Sequence, residues 1–221
     1  MKFKLIGAKT CPFVQRCLIA LLIKEASFET EFINLDEKPD WFLKLSPTGK
    51  VPVLLIDNTE ILFESAVINE FLDQIIPPVL FASTPMQQAK NRSWIEFSAS
   101  LMVNLFTLVT TQEEAKVSST AEQLAKGFAW LETANIGTPY FNSHHFSLVD
   151  IAFAPLFYRL KMLSKYYPLD FYQNHPAILQ WSENVLKHPK VMQTMSDEYE
   201  KLIIANFKRR QGILARHFPD A

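Results

Sequence analysis

The stretch "VPVLLIDNTEILFESAVINEFLDQII" (51–76) decides the architecture of this chain. "VPVLLID" (51–57) and "EILFE" (60–64) are short apolar runs joined by Asp57, Asn58 and Thr59, residues that favour a tight turn, so they read as a hairpin. At Ser65 the period changes. Val67, Ile68, Phe71, Leu72 and Ile75 recur on one face of a helix, which therefore follows the hairpin directly. Upstream, "KFKLI" (2–6) alternates polar and apolar residues like a half-buried strand. Residues 12–26 carry two i, i+4 rows: Phe13, Cys17 and Leu21, then Val14, Leu18 and Leu22. "FETEFINL" (28–35) alternates again, and "PDWFLKLSPTGK" (39–50) reads as a short helix closed by a Pro and Gly turn. The predicted order is β-α-β-α-β-β-α.

A strand–helix–strand unit followed by a hairpin and a covering helix is a thioredoxin-like α/β sandwich in three layers, here assigned to residues 1–76. After "IPPVLFASTP" the texture changes, and residues 77–85 read as a linker. From Met86 onward no convincing strand appears. Trp94, Phe97, Leu101, Leu105 and Leu108 recur at three- and four-residue intervals within a long run, 86–111. Ser119 with Glu122, and Ser147 with Asp150, are capping-box signatures, and Phe146 with Ile151 forms a hydrophobic staple for the second. Pro176 and Pro189 suit first helical turns. The second domain, 86–221, is thus predicted to be an all-α helical bundle with a basic C-terminal tail, "KLIIANFKRRQGILARHF" (201–218).

A chain of 221 residues with 48% apolar and 20% charged residues and a net charge of −1 can bury a real core, and exerts no global attraction for nucleic acid or anionic membrane. The opening "MKFKLIGAK" lacks a signal-peptide pattern. Apolar runs are interrupted by charge before about 18 residues, so no membrane span is expected. Two cysteines, six residues apart on one element, suit a reducing compartment, and the chain reads as cytoplasmic. Only 5 glycines occur and no Gly-rich phosphate loop is present, so nucleotide binding has no support. Adjacent His144 and His145 lack the spacing that converges on one ion, so no metal is expected.

The chemistry centres on "KTCPFVQRC" (9–17). Cys11 stands at a helix start, where unsatisfied N–H groups and the positive end of the macrodipole favour a thiolate. Pro12 suits the first helical position. Val14 replaces the second cysteine of a C-x-x-C motif, so a disulfide formed by Cys11 needs an external thiol to resolve it. The competing reading is an inert, packed cysteine, and Cys17 is read that way. Pro52 opens a strand, either as a cis proline that leaves Val51 with open backbone groups or as a trans proline on an edge. Glu64 and Ser65 stand at a second strand-to-helix junction. Ser65 reads as an N-cap that helps cradle a carboxylate, or as a cap and nothing more.

The spaced pattern "CPFVQR … NLDEKPDWFLKLSPTGKVPVLL … FESAVINEFLD", extended by "PYFNSHHFSLVDIAFAPLFYRL" (139–160), resembles the cytosolic glutathione transferases. The Cys-Pro-Phe start is most similar to the cysteine-type omega class and its bacterial relatives. The resemblance implies that Cys11 is a nucleophile forming a mixed disulfide with glutathione. Phe13 would flank it, Lys38 would pair with a glutathione carboxylate, and Val51 beside Pro52 would bond the cysteinyl backbone. Glu64 and Ser65 would hold the γ-glutamyl ammonium and carboxylate. It further implies glutathione as cosubstrate, a small electrophilic or disulfide partner (mixed disulfides, dehydroascorbate-like compounds or glutathionyl conjugates), and a homodimer. An aromatic second-substrate wall of Trp94, Phe97, Phe106 and Trp181 would lie between the domains. Lys38 taken alone is also consistent with a solvated surface lysine. Two alternatives accompany this reading: a beta-class-like conjugating transferase, and a non-enzymatic scaffold for transcription machinery similar to the stringent starvation proteins.

Overall fold

The computed structural model describes residues 1–134, 136, 138–142, 144–167, 171–172 and 174–219. It divides into two compact units, one spanning Met1–Phe81 and the other running from Ala82 onward.

In the first unit the elements follow the predicted order: β1 (Phe3–Gly7), α1 (Pro12–Ile23), β2 (Phe28–Phe32), α2 (Asp40–Leu45), β3 (Val53–Ile56), β4 (Glu60–Phe63) and α3 (Ser65–Ile75). The sheet order is β2-β1-β3-β4. β1 runs parallel to β2 and antiparallel to β3, which is antiparallel to β4. Alternate strand residues face opposite layers. Ile6 and Val53 join Phe42 of α2 in one buried cluster, and α1 packs on α3. The β3–β4 turn places Asp57 and Asn58 at positive φ (49° and 61°), the geometry of a type I′ hairpin, and Asp57 Oδ1 accepts the Lys2 N–H at 2.7 Å.

This unit extends beyond residue 76 because one side chain holds its end. Asp73 is buried against Lys24, with Nζ 2.5 Å from Oδ1. Its carboxylate also accepts the N–H groups of Leu80 at 2.7 Å and Phe81 at 3.0 Å, while Lys24 donates to the Pro78 carbonyl. Residues 78–81, expected to be linker, are therefore hydrogen-bonded into the first unit. A buried charge pair is tolerated when each partner's remaining valences are met in this way.

The second unit is helical over α4 (Pro85–Thr110), α5 (Glu114–Glu132), α6 (Leu148–Leu163), α7 (Pro176–Lys187), α8 (Pro189–Met192) and α9 (Asp197–Arg209), followed by a 3-10 turn (Ile213–His217). α6 is buried on all sides except at Lys161, as a central helix must be. Pro155 removes one donor from α6. The buried Arg159 donates to the Pro155 carbonyl and to the Tyr199 hydroxyl, both at 3.0 Å, tying α6 to α9. α4 alters one expectation, because its length and composition alone would allow a membrane crossing. One of its faces, including Asn91 and Ser98, is buried, and it packs on α5 and α6.

One further expectation needs correction. Ser119 does not cap α5, which begins five residues earlier at Glu114; its hydroxyl donates to the Lys116 carbonyl in the second turn. The basic tail packs back on the helical unit. Leu214 and Phe218 are buried, the Ile213 N–H bonds the Thr111 carbonyl at 2.8 Å, and a side chain at Gly212 would strike the Val109 carbonyl.

Candidate functional site

The strand register gathers the predicted site residues of the first unit at one end of the sheet. Ile6 of β1 pairs with Val53 of β3, and Val53 pairs with Phe63 of β4. The chain therefore leaves β1 towards Cys11, enters β3 through Val51 and Pro52, and leaves β4 into Glu64, all at that same end. β2 is parallel to β1 and its last residue, Phe32, pairs with Gly7, so the segment leading to Lys38 starts there too. The register of four strands, rather than proximity in sequence, brings these groups together.

Cys11 is the N-cap of α1 in extended conformation (φ −73°, ψ 124°), with Pro12 as first helical residue. Its N–H donates to the Ala8 carbonyl at 3.1 Å, and its own carbonyl accepts from Gln15 N–H at 3.1 Å. No side chain caps the helix. The backbone N–H groups of its first turn and the positive end of its dipole therefore stand beside a half-exposed sulfur. Cys17 is fully buried. Desolvation pushes its thiol well above the usual range, with Arg16 pulling the other way, and its Sγ lies 3.9 Å from the Ser65 carbonyl. Neither cysteine is in a disulfide. The two sulfurs of one helix thus have opposite environments.

Val51–Pro52 is cis, the first of the two readings of that proline. Val51 precedes β3, and among the described residues no hydrogen bond involves its backbone groups. The preceding turn is fixed by Ser46 Oγ donating to the Lys50 carbonyl at 2.8 Å. Gly49 takes φ +62°, and Lys38 Nζ lies 3.9 Å from where a side chain on Gly49 would begin. A glycine here both permits the turn and leaves room for the lysine.

Glu64, not Ser65, is the N-cap of α3. Ser65 is the first helical residue, is buried, and supplies no side-chain cap. Glu64 holds φ +67°, ψ 115°, a region that costs a non-glycine residue about 1–3 kcal/mol and that clusters at binding sites. No sequence signal announces this strain. Phe13 lies over the guanidinium of Arg16 at 4.8 Å, which braces the ring beside Cys11. The i, i+3 spacing of "FVQR" is the sequence cue for this contact.

The proposed aromatic wall does not survive as one surface. Trp181 is 1% exposed, packs on Phe141, Phe153 and Phe157, and donates its indole N–H to Asp150 Oδ1 at 2.6 Å. It is core, because an indole needs a partner when buried and Asp150 provides one. Trp94 and Phe97 are half-buried and edge-on to each other at 5.6 Å, and Trp94 meets Phe141 at 6.1 Å. Phe106 is exposed beneath the Arg210 guanidinium at 5.8 Å. Among the described residues no three His, Cys, Asp or Glu side chains converge as metal ligands.

Residues 10–75 match the family model "Glutathione S-transferase, N-terminal domain", and residues 112–184 match "Glutathione S-transferase, C-terminal domain". The pig protein "Glutathione S-transferase omega-1" is 31% identical over 191 residues, covering 85% of this chain and 78% of the relative. A rice "Probable glutathione S-transferase DHAR1, cytosolic" is 28% identical over 157 residues, 71% of this chain and 70% of the relative. Among solved structures, glutathione transferase Omega 3C from Trametes versicolor superposes with a TM-score of 0.79 at 27% identity, covering 89% of this chain and 90% of its own. With both domain models matched in order, and with the cysteine-bearing sheet end beneath them, this chain belongs to the glutathione S-transferases as an omega-like transferase.

Proposed function

We propose that this transferase works by glutathione-dependent thiol exchange through Cys11. The observation that carries the reading is the contrast on α1: Cys11 is half-exposed at an uncapped helix N-terminus, whereas Cys17 is sealed and held protonated by burial. The Cys11 thiolate attacks the glutathionyl sulfur of a mixed disulfide, R–S–S–G. A bond forms between Cys11 Sγ and that sulfur, the S–S bond of the mixed disulfide breaks, and RS⁻ leaves to take up a proton. The thiolate of a second glutathione attacks the glutathionyl sulfur on Cys11, releasing glutathione disulfide and regenerating the thiolate. Phe13 flanks the sulfur. The open backbone of Val51 accepts the peptide as an added strand, Lys38 pairs with a carboxylate, and Glu64 with Ser65 receives the γ-glutamyl end. A cysteine at the helix start favours exchange and reduction over conjugation, because it competes for the sulfur that a conjugating enzyme must keep ionised.

Replacing Cys11 with Ala is expected to lower glutathione-dependent disulfide reduction to the uncatalysed rate. Mass spectrometry after glutathione disulfide treatment is expected to show one adduct, on Cys11 and not Cys17. Retained reduction, or an adduct on Cys17 alone, overturns the mechanism. Retention on glutathione resin separates the enzyme from a scaffold that has lost the site. We infer a cytosolic setting, in line with the rice relative's name. We also infer a homodimer, supported by exposed apolar residues Val67 on α3 and Trp130 on α5. Sedimentation of a Val67→Asp variant as a monomer is the expected result.

A further inference from the structure

We propose that α7 is a pH-responsive element of the helical unit: acidification fastens its first turn and loosens its last, because the histidines at its two ends act in opposite senses. The proposal is independent of the thiol-exchange reading. Both boundary residues of α7 are histidines, His175 at the N-cap and His188 at the C-cap. The helix is fixed at its middle, where the Trp181 indole N–H donates to Asp150 Oδ1 at 2.6 Å. Each end is held by a contact that depends on one ring nitrogen.

His175 does not cap the helix that it opens. Its ring lies against α5 instead, edge-on to Phe128 at 6.2 Å, with Nδ1 3.8 Å from Glu132 Oε1. Both atoms are buried and neither has a hydrogen-bond partner. That separation is too long for a hydrogen bond and within reach of an ion pair, so a neutral ring leaves two buried polar atoms unsatisfied beside each other. Glu132 is also the last residue of α5, where the negative end of the helix dipole opposes a carboxylate. A proton on His175 removes both defects by supplying a donor and a positive charge. The other titratable group at this joint is Tyr172, stacked on Phe128 at 5.8 Å and kept a neutral phenol by burial. Among the described residues, Glu132 is therefore the charge that the ring meets.

His188 is the reverse case. Its Nδ1 already accepts the Lys190 N–H at 3.3 Å, joining the end of α7 to the start of α8, and a proton there breaks that bond. The ring lies against Phe146 at 4.2 Å and Tyr140 at 6.3 Å. The surrounding charges do not favour a cation. Lys190 on α8 repels it, and Lys187 on α7 is paired with Glu183 at 3.2 Å. Burial, then Asp150, keeps Tyr140 a neutral phenol. The Asp150 carboxylate is itself taken by Ser147, Phe141 and Trp181. Burial, followed by Lys190, lowers the pKa of His188, so this end is fully held above about pH 6.5 and released as the pH falls. Histidine is the side chain that changes charge between about pH 5 and 8, so a single acid step closes one end of α7 and opens the other.

The test is amide hydrogen exchange of the full chain by NMR at about pH 5.5 and about pH 8, on either side of the histidine range, with rates corrected for their intrinsic pH dependence. The Leu179 N–H, bonded to the His175 carbonyl at 3.0 Å, reports on the first turn, and the Lys190 N–H reports on the far end. Acidification is expected to raise Leu179 protection about fivefold and to lower Lys190 protection by a similar factor, the scale of one partly solvated pair. Glu132→Gln keeps the shape and removes the charge; it is expected to abolish the rise at Leu179 and to preserve the fall at Lys190. His188→Gln is expected to do the converse. Leu179 protection that does not rise with acid, a rise that survives Glu132→Gln, or Lys190 protection that does not fall overturns the proposal.

Discussion

The helix starts of the two units are finished differently. In the first unit α1, α2 and α3 begin without a side-chain cap: Cys11, Pro39 and Glu64 occupy the N-cap positions and none bonds the turn that follows through its side chain. In the second unit Thr84 caps α4 through the Gln87 N–H, Ser196 caps α9 through the Tyr199 N–H, and His188 caps α8 through the Lys190 N–H. α6 is closed by the Ser147–Asp150 box, with the Ser147 N–H 2.8 Å from Asp150 Oδ2. A capped helix has spent its N-terminal donors on its own chain. An uncapped one keeps them for whatever binds there. The first unit thus leaves all three of its helix starts open, whereas in the second only α5 and α7, at Glu113 and His175, lack a side-chain cap, and the open starts of α1 and α3 lie at the sheet end that holds Cys11.

The largest effect that tests this contrast lies where the first unit does satisfy its polar groups. Asp73→Ala leaves the Lys24 ammonium buried without its carboxylate and releases the N–H groups of Leu80 and Phe81. A loss of about 3–5 kcal/mol in urea unfolding is expected. A smaller loss would mean that water reaches Lys24 and that the end of the unit is looser than its bonds imply. Next is Asp150→Ala, which strips the α6 cap together with the partners of the Phe141 N–H (3.0 Å) and the Trp181 indole N–H. About 3 kcal/mol is expected from the helical unit.

Cys11→Asp sharpens the comparison in the opposite direction. A carboxylate at this N-cap supplies the missing cap, and the variant is expected to gain about 1 kcal/mol in stability while losing disulfide reduction. A destabilised variant would show that the end of α1 is already satisfied without a ligand. The smallest effect is at His188, whose ring stacks on Phe146 at 4.2 Å and whose Nδ1 accepts the Lys190 N–H. Burial, then Lys190, lowers its pKa below 6.5, so protons bind the unfolded chain more readily. Its contribution to stability is complete above about pH 6.5 and declines as the pH falls towards the lower folded value. In His188→Gln the thermal midpoint is expected to vary less with pH across that acidic window than in the parent chain.

The sequence disclosed the order and type of every element in the first unit, because periods of two and of 3.6 alternate cleanly there and Gly and Pro mark the joints. It disclosed the helix-start position of Cys11 and the Ser147–Asp150 box through local spacing alone, and left Pro52 open between cis and trans. It misplaced what depends on contacts distant in sequence. Trp181 reads as a surface aromatic until Asp150, thirty-one residues away, accepts its N–H. Residues 78–81 read as linker until Asp73 claims their backbone. Ser119 matched a capping pattern, yet Glu114 had already begun the helix. The strain at Glu64 arises from turning a strand end into a helix within one residue, and no residue type encodes it.

The seam at Gly212, where backbone meets backbone at the close of α4, bears on the order of synthesis. Among the described residues, the hydrogen bonds that hold the first unit together are available once residue 81 has emerged from the ribosome. The helical unit instead waits for residues 212–218, far downstream of α4, before the far end of its longest helix is sealed. One unit can thus mature while the other is still being made, and the second seals its longest helix only after the intervening helices have followed.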